Sequence, residues 1–227
     1  MRPLGSFWPC GTVYGVLLNF RAELAELGQQ MQQAPYMAEP KAPVLYVKPA
    51  NTWSGSGSAI VLPAQAGQVE VGASVAMVIG EPNPARSRGP ARASVAGYVL
   101  VNDLSLPHSS FFRPPVKVKC PDGFLGLGPV WVPAAQAGDP AGFVLDVAIN
   151  GVLRQSVYFS DLVRAADTLL DDVGEFMTLR CGDLLLLGCD RGRPLAAAGD
   201  QVEIGMRNQA AFGSLCNTLL LAPQEGA

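Results

Sequence analysis

The polar and apolar positions of the chain alternate more often than they repeat at helical spacing. Strands are predicted at residues 12–18, Val44–Val47, Ala59–Leu62, Val69–Ile79, Ala96–Val101 and Gly142–Ile149, each apolar or β-branched and bounded by Gly, Pro or Asn. Asn150–Gly151, between two apolar runs, predicts a hairpin turn. Gly182–Asp183 and Gly199–Asp200 read as turns that each precede a strand. Two segments carry a 3.6-residue period. Arg21–Gln33 has only Leu24 and Leu27 on its narrow apolar face and predicts a surface helix or lid. Ser160–Leu179 carries a broad stripe from Leu162 to Met177 and predicts a long core helix capped by Ser160. Thr52–Ser58 and residues 81–92, rich in Ser and Gly or in Pro and Arg, read as loops.

This tally predicts an α+β, mostly β fold with short peripheral helices, as one domain over 1–227: a strand and surface helix in 1–40, then a β core in 41–227. The length suffices for one large core, with roughly 70% of the extended chain's surface buried. With 25 Gly and 19 Pro many turns are expected, and 49% apolar against 15% charged residues excludes a disordered chain.

Sixteen basic against 19 acidic residues leave a formal charge of −3 and no basic footprint for nucleic acid. No apolar run approaches the ~20 residues of a membrane-spanning helix, and the N-terminus lacks the apolar stretch of a signal peptide. Five scattered cysteines without a CxxC pair suggest reduced thiols and a cytoplasmic location. The sole histidine, His108, leaves no room for a His-rich metal site and is a weak triad candidate, read as a surface residue. Gly55-Ser-Gly57 has no Lys after it and is a weak phosphate loop. The stretch 102–119 stands out, with Asn102, Asp103, Arg113, Lys117 and Lys119 among prolines and aromatics. Cations gathered on an irregular segment suit an anionic substrate, although solvated surface lysines read equally well from composition.

Several segments, in order and spacing, resemble the fumarylacetoacetate hydrolase family: Gly15-Val-Leu-Leu-Asn-Phe-Arg21, Pro43-Val-Leu-Tyr-Val-Lys-Pro-Ala-Asn-Thr52, Val75-Ala-Met-Val-Ile-Gly80, Gly97-Tyr-Val-Leu-Val-Asn-Asp103, Gly126-Leu-Gly-Pro-Val-Trp131 and Gly174-Glu-Phe-Met-Thr-Leu179. Asn102-Asp-Leu-Ser-Leu-Pro107, Phe112-Arg-Pro114, Lys117-Val-Lys-Cys120 and Asp122-Gly-Phe124 narrow the likeness to the family's decarboxylase/isomerase group of aromatic catabolism, in its N-terminal half. The resemblance implies a mixed β-roll or flattened barrel, often in dimers. The implied substrates are small unsaturated oxo-di- and tricarboxylates, and the implied partner is a second copy or a separate metal-bearing family subunit.

It also implies a Mg²⁺, Mn²⁺ or Ca²⁺ site of two glutamates and one aspartate. Here Gly72 and Ser74 stand where the glutamates belong, and only Asp103 remains. Glu70, two residues earlier, would share their face if the strand is continuous. No tightly bound metal is therefore expected, only weak Mg²⁺ or a metal held by a partner. Restoring both glutamates should raise metal affinity if Asp103 faces the site. Glu23 replaces the histidine of the hydrolases' His-x-x-Glu helix, which makes hydrolysis by the usual route doubtful, and Leu187-Gly-Cys-Asp190 replaces their Gly-Thr-Pro. The resemblance assigns catalysis to Lys119, Asp103 and Glu23, and substrate binding to Arg113, Lys48 and Asn102.

Overall fold

A computed structural model describes residues 7–83, 92–108, 110 and 112–222. Among the described residues fourteen strands run in chain order: β1 (Val13–Leu17), β2 (Val44–Lys48), β3 (Trp53–Gly55), β4 (Ala59–Leu62), β5 (Val69–Glu70), β6 (Ala73–Asn83), β7 (Arg92–Asp103), β8 (Leu125–Pro133), β9 (Val144–Ile149), β10 (Val152–Tyr158), β11 (Leu184–Leu186), β12 (Leu195–Ala196), β13 (Gln201–Met206) and β14 (Ser214–Leu221). Four short helices, α1 (Arg21–Leu27), α2 (Val116–Lys119), α3 (Ala134–Ala137) and α4 (Ala166–Gly174), lie between them. The mostly β class stands. A seven-stranded sheet, β2-β1-β11-β6-β7-β8-β3, faces a five-stranded one, β10-β9-β13-β14-β4, and β12 and β5 pair alone.

The period of two decides what each strand buries. On β6, Val75, Met77 and Ile79 enter the core shared with Leu145, Val147 and Ile149 of β9 and with Ile204 of β13. Ala76 and Val78 point the other way, onto Val99, Val101, Leu125, Leu184 and Leu186. Both faces of the central strands are thus dry, which is why β6, β7 and β11 read as apolar runs. The hairpin at Asn150–Gly151 forms as predicted, with positive φ at both residues (53° and 75°), the conformation of a type I′ turn. Gly182 and Gly199 likewise take positive φ before β11 and β13.

Five sequence expectations need correction, and in most of them a long-range contact outweighs the local pattern. The helix predicted over Ser160–Leu179 is only Ala166–Gly174, preceded by Ala165 with no side-chain cap. The Val163 amide donates to the Asn19 carbonyl at 2.8 Å, the Arg164 amide donates to Asn19 Oδ1 at 3.0 Å, and Leu162 bridges to Phe20, so residues 162–164 are held out of the helix. The helix predicted over Arg21–Gln33 ends as α-helix at Leu27, because Gly28 turns to φ +36°, and continues as a 3₁₀ turn to Gln32. Within the predicted loop Thr52–Ser58, Trp53–Gly55 is a strand parallel to Leu125–Leu127, and Ser54 donates to the Gly123 carbonyl at 2.9 Å. The strand predicted over Val69–Ile79 breaks at residues 71–72: β5 pairs with β12 and β6 with β7 and β11. Of the predicted 81–92 loop, residues 81–83 and 92 belong to β6 and β7, and 84–91 lie outside the described residues.

Candidate functional site

The same alternation sorts the family-derived site residues. At the end of β7, Asn102 faces the core between the sheets, where its Nδ2 lies 3.5 Å from Asn217 Oδ1. Its neighbour Asp103 faces the opposite side, toward Tyr46 and Lys48 of β2 and Lys119 of α2. Asn102 therefore does not join the others.

Asp103 is wholly buried; its Oδ2 accepts hydrogen bonds, while its Oδ1 has the Lys48 charge beside it but accepts none. Lys48 Nζ lies 2.7 Å from Oδ1, Lys119 Nζ donates to Oδ2 at 2.7 Å, and the Tyr46 hydroxyl also donates to Oδ2. Lys119 further stands 4.9 Å from the centre of the Tyr46 ring. Burial alone would raise the Asp103 pKa, but the charges of Lys119 and Lys48 outweigh it and hold the carboxyl well below the usual range. Burial, with the Asp103 charge, pushes the Tyr46 phenol well above its ordinary value, so it stays a proton donor. Burial also pushes the nearby Cys189 thiol up to about 12, again with help from Asp103; its Sγ is 3.8 Å from Oδ2. Lys48 is pulled down by burial. Its ammonium donates to the carbonyls of Leu104 (3.1 Å), Phe124 (2.8 Å) and Lys119, so its hydrogens are spent on the protein.

Glu23, on α1, is joined to this centre by a residue the sequence did not single out. Arg193 donates to Glu23 Oε1 at 2.8 Å, and its Nε stands 3.4 Å from Glu70 Oε2. Glu23 Oε2 in turn accepts the Leu18 amide at 3.0 Å. Burial raises the Glu23 pKa despite the opposing charge of Arg193, and the Lys119 charge also reaches it. Glu70 does not approach as a residue of β6, because the strand breaks before it; it pairs with Arg193 instead. Lys48, Lys119 and Arg193 thus balance Asp103, Glu23 and Glu70, and the cluster is neutral as it stands.

A hard divalent cation needs several free carboxylate oxygens. Among the described residues no group of three or more His, Cys, Asp or Glu side chains converges on one point. Ser74 spends its hydroxyl on the Gly188 carbonyl at 2.5 Å. A Cβ on Gly72 would stand 2.3 Å from the Asp103 carbonyl oxygen and 3.0 Å from Cys189 Sγ. The donor set does not fit such an ion, and two added charges would lack counter-charge. A glutamate at 72 would meet the same backbone and the Cys189 sulfur. Gly72→Ala alone should cost about 1–3 kcal/mol, because backbone rather than a flexible side-chain end must give way. A urea-unfolding midpoint equal to wild type would contradict this packing.

Arg113 is exposed and borders two cavities. One, of about 440 Å³, runs along the free edge of β2 past Val44, Leu45, Tyr46 and Val47. Tyr46 belongs both to this groove and to the Asp103 cluster. Alternation along β2 held a signal for it, since a strand through 44–48 puts the Tyr46 phenol on the face of the Lys48 amine. Arg193, in Asp-Arg-Gly-Arg-Pro, offered no such signal.

The model of the fumarylacetoacetate hydrolase C-terminal domain matches residues 12–220. The chain belongs to the fumarylacetoacetate hydrolase family. It is 40% identical over 195 residues to the 4-hydroxyphenylacetate degradation bifunctional isomerase/decarboxylase of Salmonella dublin, covering 86% of this chain and 44% of that protein. The Escherichia coli protein of the same name is 38% identical over 194 residues, with the same coverage. The chain therefore spans under half the length of these curated relatives. Among solved structures, a 5-carboxymethyl-2-hydroxymuconate delta-isomerase from Mycobacterium smegmatis superposes with a TM-score of 0.72 at 28% identity, covering 94% of this chain and 80% of that one. The fold implied by the resemblance is the fold observed. Among the described residues, no helix is long and apolar enough to cross a membrane.

Proposed function

We propose that this family member acts on small unsaturated oxo-di- and tricarboxylates of 4-hydroxyphenylacetate catabolism. The reactions are decarboxylation of 5-oxopent-3-ene-1,2,5-tricarboxylate and isomerisation of 2-hydroxyhepta-2,4-diene-1,7-dioate. The chain would act as the metal-poor half of such an enzyme, paired with a second copy or with a family subunit that holds the divalent ion. One observation carries the reading: 40% identity over 86% of the chain to one half of a bifunctional isomerase/decarboxylase.

The ion cluster supports it chemically. When CO₂ leaves a β,γ-unsaturated or oxo acid, the bonding pair moves into the conjugated carbonyl, and an ammonium there stabilises the enolate as it forms. Lys119, oriented by Asp103, is that group, and the protonated Tyr46 is a second donor beside it. Tautomerisation needs a proton taken and one returned, for which Glu23, with its raised pKa, and Lys119 are the pair. Lys48, with its carbonyl partners, orients Asp103.

A second reading, a non-catalytic companion of an active subunit, is favoured by the two lysines that already flank Asp103. Absorbance of the conjugated oxo acid, followed with the chain alone and mixed with a family subunit containing Glu-x-Glu, separates the two. The proposal expects turnover that Lys119→Met lowers in the chain or the mixture. A mixture whose turnover ignores Lys119→Met would leave the companion role, and no turnover in either would overturn the substrate class.

A further inference from the structure

β1 and β11 run parallel, with Val13 beside Leu184, and their contact continues back beyond the start of both strands. The Gly11 amide donates to the Gly182 carbonyl at 3.1 Å, and the Thr12 amide donates to Asp183 Oδ1 at 2.7 Å. Ahead of β11 the chain makes a tight turn. The Asp183 amide donates to the Arg180 carbonyl at 3.0 Å, and Gly182 takes φ +89°, as a type II turn requires of its third residue. Cys181 is at the tip of this turn, and Cys10 packs onto it. Cys10 Sγ fills the space where a side chain on Gly182 would begin, and Cys10 Cβ is 3.7 Å from that point. The sulfur therefore lies within about 4 Å of the Gly182 Cα, one residue from Cys181. Both thiols are exposed and free. A hydrogen bond to the Glu81 carboxylate of β6 is the main cause that pushes the Cys181 pKa up, and the charge of Cys10 is among the others, so the two sulfurs are electrostatic neighbours.

We propose that Cys10 and Cys181 are an oxidisable dithiol, a modification site that a small disulfide such as oxidised glutathione closes to an intramolecular disulfide. Cys181 keeps its proton beside Glu81, so the Cys10 thiolate attacks first. Its sulfur bonds to one glutathione sulfur, the S–S bond of the oxidant breaks, and one glutathione thiolate leaves. The Cys181 sulfur then attacks the Cys10 sulfur, the mixed disulfide breaks, and the second glutathione thiolate leaves. The protons of both cysteines end on the two leaving thiolates. The protein dithiol has given up two electrons, and one glutathione disulfide has become two thiols. Among the described residues no group of three His, Cys, Asp or Glu side chains is placed to hold a metal, which leaves the pair to this covalent chemistry. The bond closes residues 10 to 181, most of the chain, into one loop and so restricts the unfolded state.

The test is incubation of the whole chain with oxidised glutathione, followed by unfolding, alkylation of the remaining thiols with iodoacetamide and mass spectrometry. The alkylated thiols are expected to fall from five to three, with the peptides of Cys10 and Cys181 joined within one chain. The urea-unfolding midpoint of the oxidised protein should rise and should return to its starting value with dithiothreitol. In Cys10→Ser and in Cys181→Ser the cross-link should be lost, the remaining cysteine should carry a glutathione, and the midpoint should ignore the oxidant. Five thiols still alkylated after oxidation, a bond from either cysteine to a different one or to a second chain, or a midpoint that rises equally in both serine variants would overturn the proposal. No substrate enters the experiment, so its failure leaves the functional reading untouched.

Discussion

Asp103→Asn should be the most damaging single substitution in this protein, costing about 3–5 kcal/mol of a total stability on the order of 5–15 kcal/mol. The size follows from what is left behind. Lys48 and Lys119 are 0% and 1% exposed, and this carboxylate is the ion-pair partner of both. Without it two ammonium groups remain in a dry site with no anion beside them. Lys119→Met added to Asp103→Asn should relieve part of the cost, so that the double variant loses less than the sum of the single losses by over ~1 kcal/mol. Urea unfolding monitored by circular dichroism measures this; a loss under ~1 kcal/mol for Asp103→Asn would contradict the ion cluster. The pH dependence has a definite sign. The Asp103 carboxyl is held below its ordinary value of about 3.9 when folded. Its contribution is therefore complete above that value and is lost as pH falls through and below it. Wild type should lose stability on acidification below about pH 4, and in Asp103→Asn that part of the acid loss should be absent.

Lys119→Met should lower turnover of the oxo acid about 10- to 150-fold, the equivalent of a charge-assisted contact of roughly 1.5–3 kcal/mol. The loss should fall mainly on kcat, since the ammonium is proposed to meet charge that develops only as CO₂ leaves. Asp103 keeps Lys48 as a partner in this variant, so the fold should survive, and the urea midpoint checks that separately. Lys119→Arg restores the charge but, with a planar group in place of a compact ammonium, should recover only part of the rate. Unchanged kcat in a folded Lys119→Met protein would remove the residue from the chemistry.

What could be read from the sequence follows the range of the interactions involved. The strands were legible because burial on a sheet is written every second residue, and the 150–151 hairpin because Asn-Gly suits positive φ at both positions. The helix at 160–179 was over-read because its stripe is real as far as Val173, but Asn19, some 145 residues away, captures its first turn. At the site, Asp103 and Lys119 were singled out by the family resemblance and the spacing of its motifs. The same spacing could not tell that Lys48 would be consumed by three carbonyls, or that Asn102 would point into the opposite layer. Sequence gives residue types along a strand; which face is filled by which distant loop is decided by packing. Arg193 shows this most plainly, a loop residue of no periodicity that joins the 23 and 70 carboxylates.

The central claim is that a neutral side-chain cluster around Asp103 stands where the family's resemblance implies a divalent ion. Manganese titration of the dialysed wild-type chain, followed by the electron paramagnetic resonance of free Mn²⁺, tests it most directly. The free-ion signal should grow in proportion to added metal, with no stoichiometric site tight enough to survive dialysis. One tightly held Mn²⁺ per chain would contradict it, for Asp103 would then have to release both lysines to bind the metal.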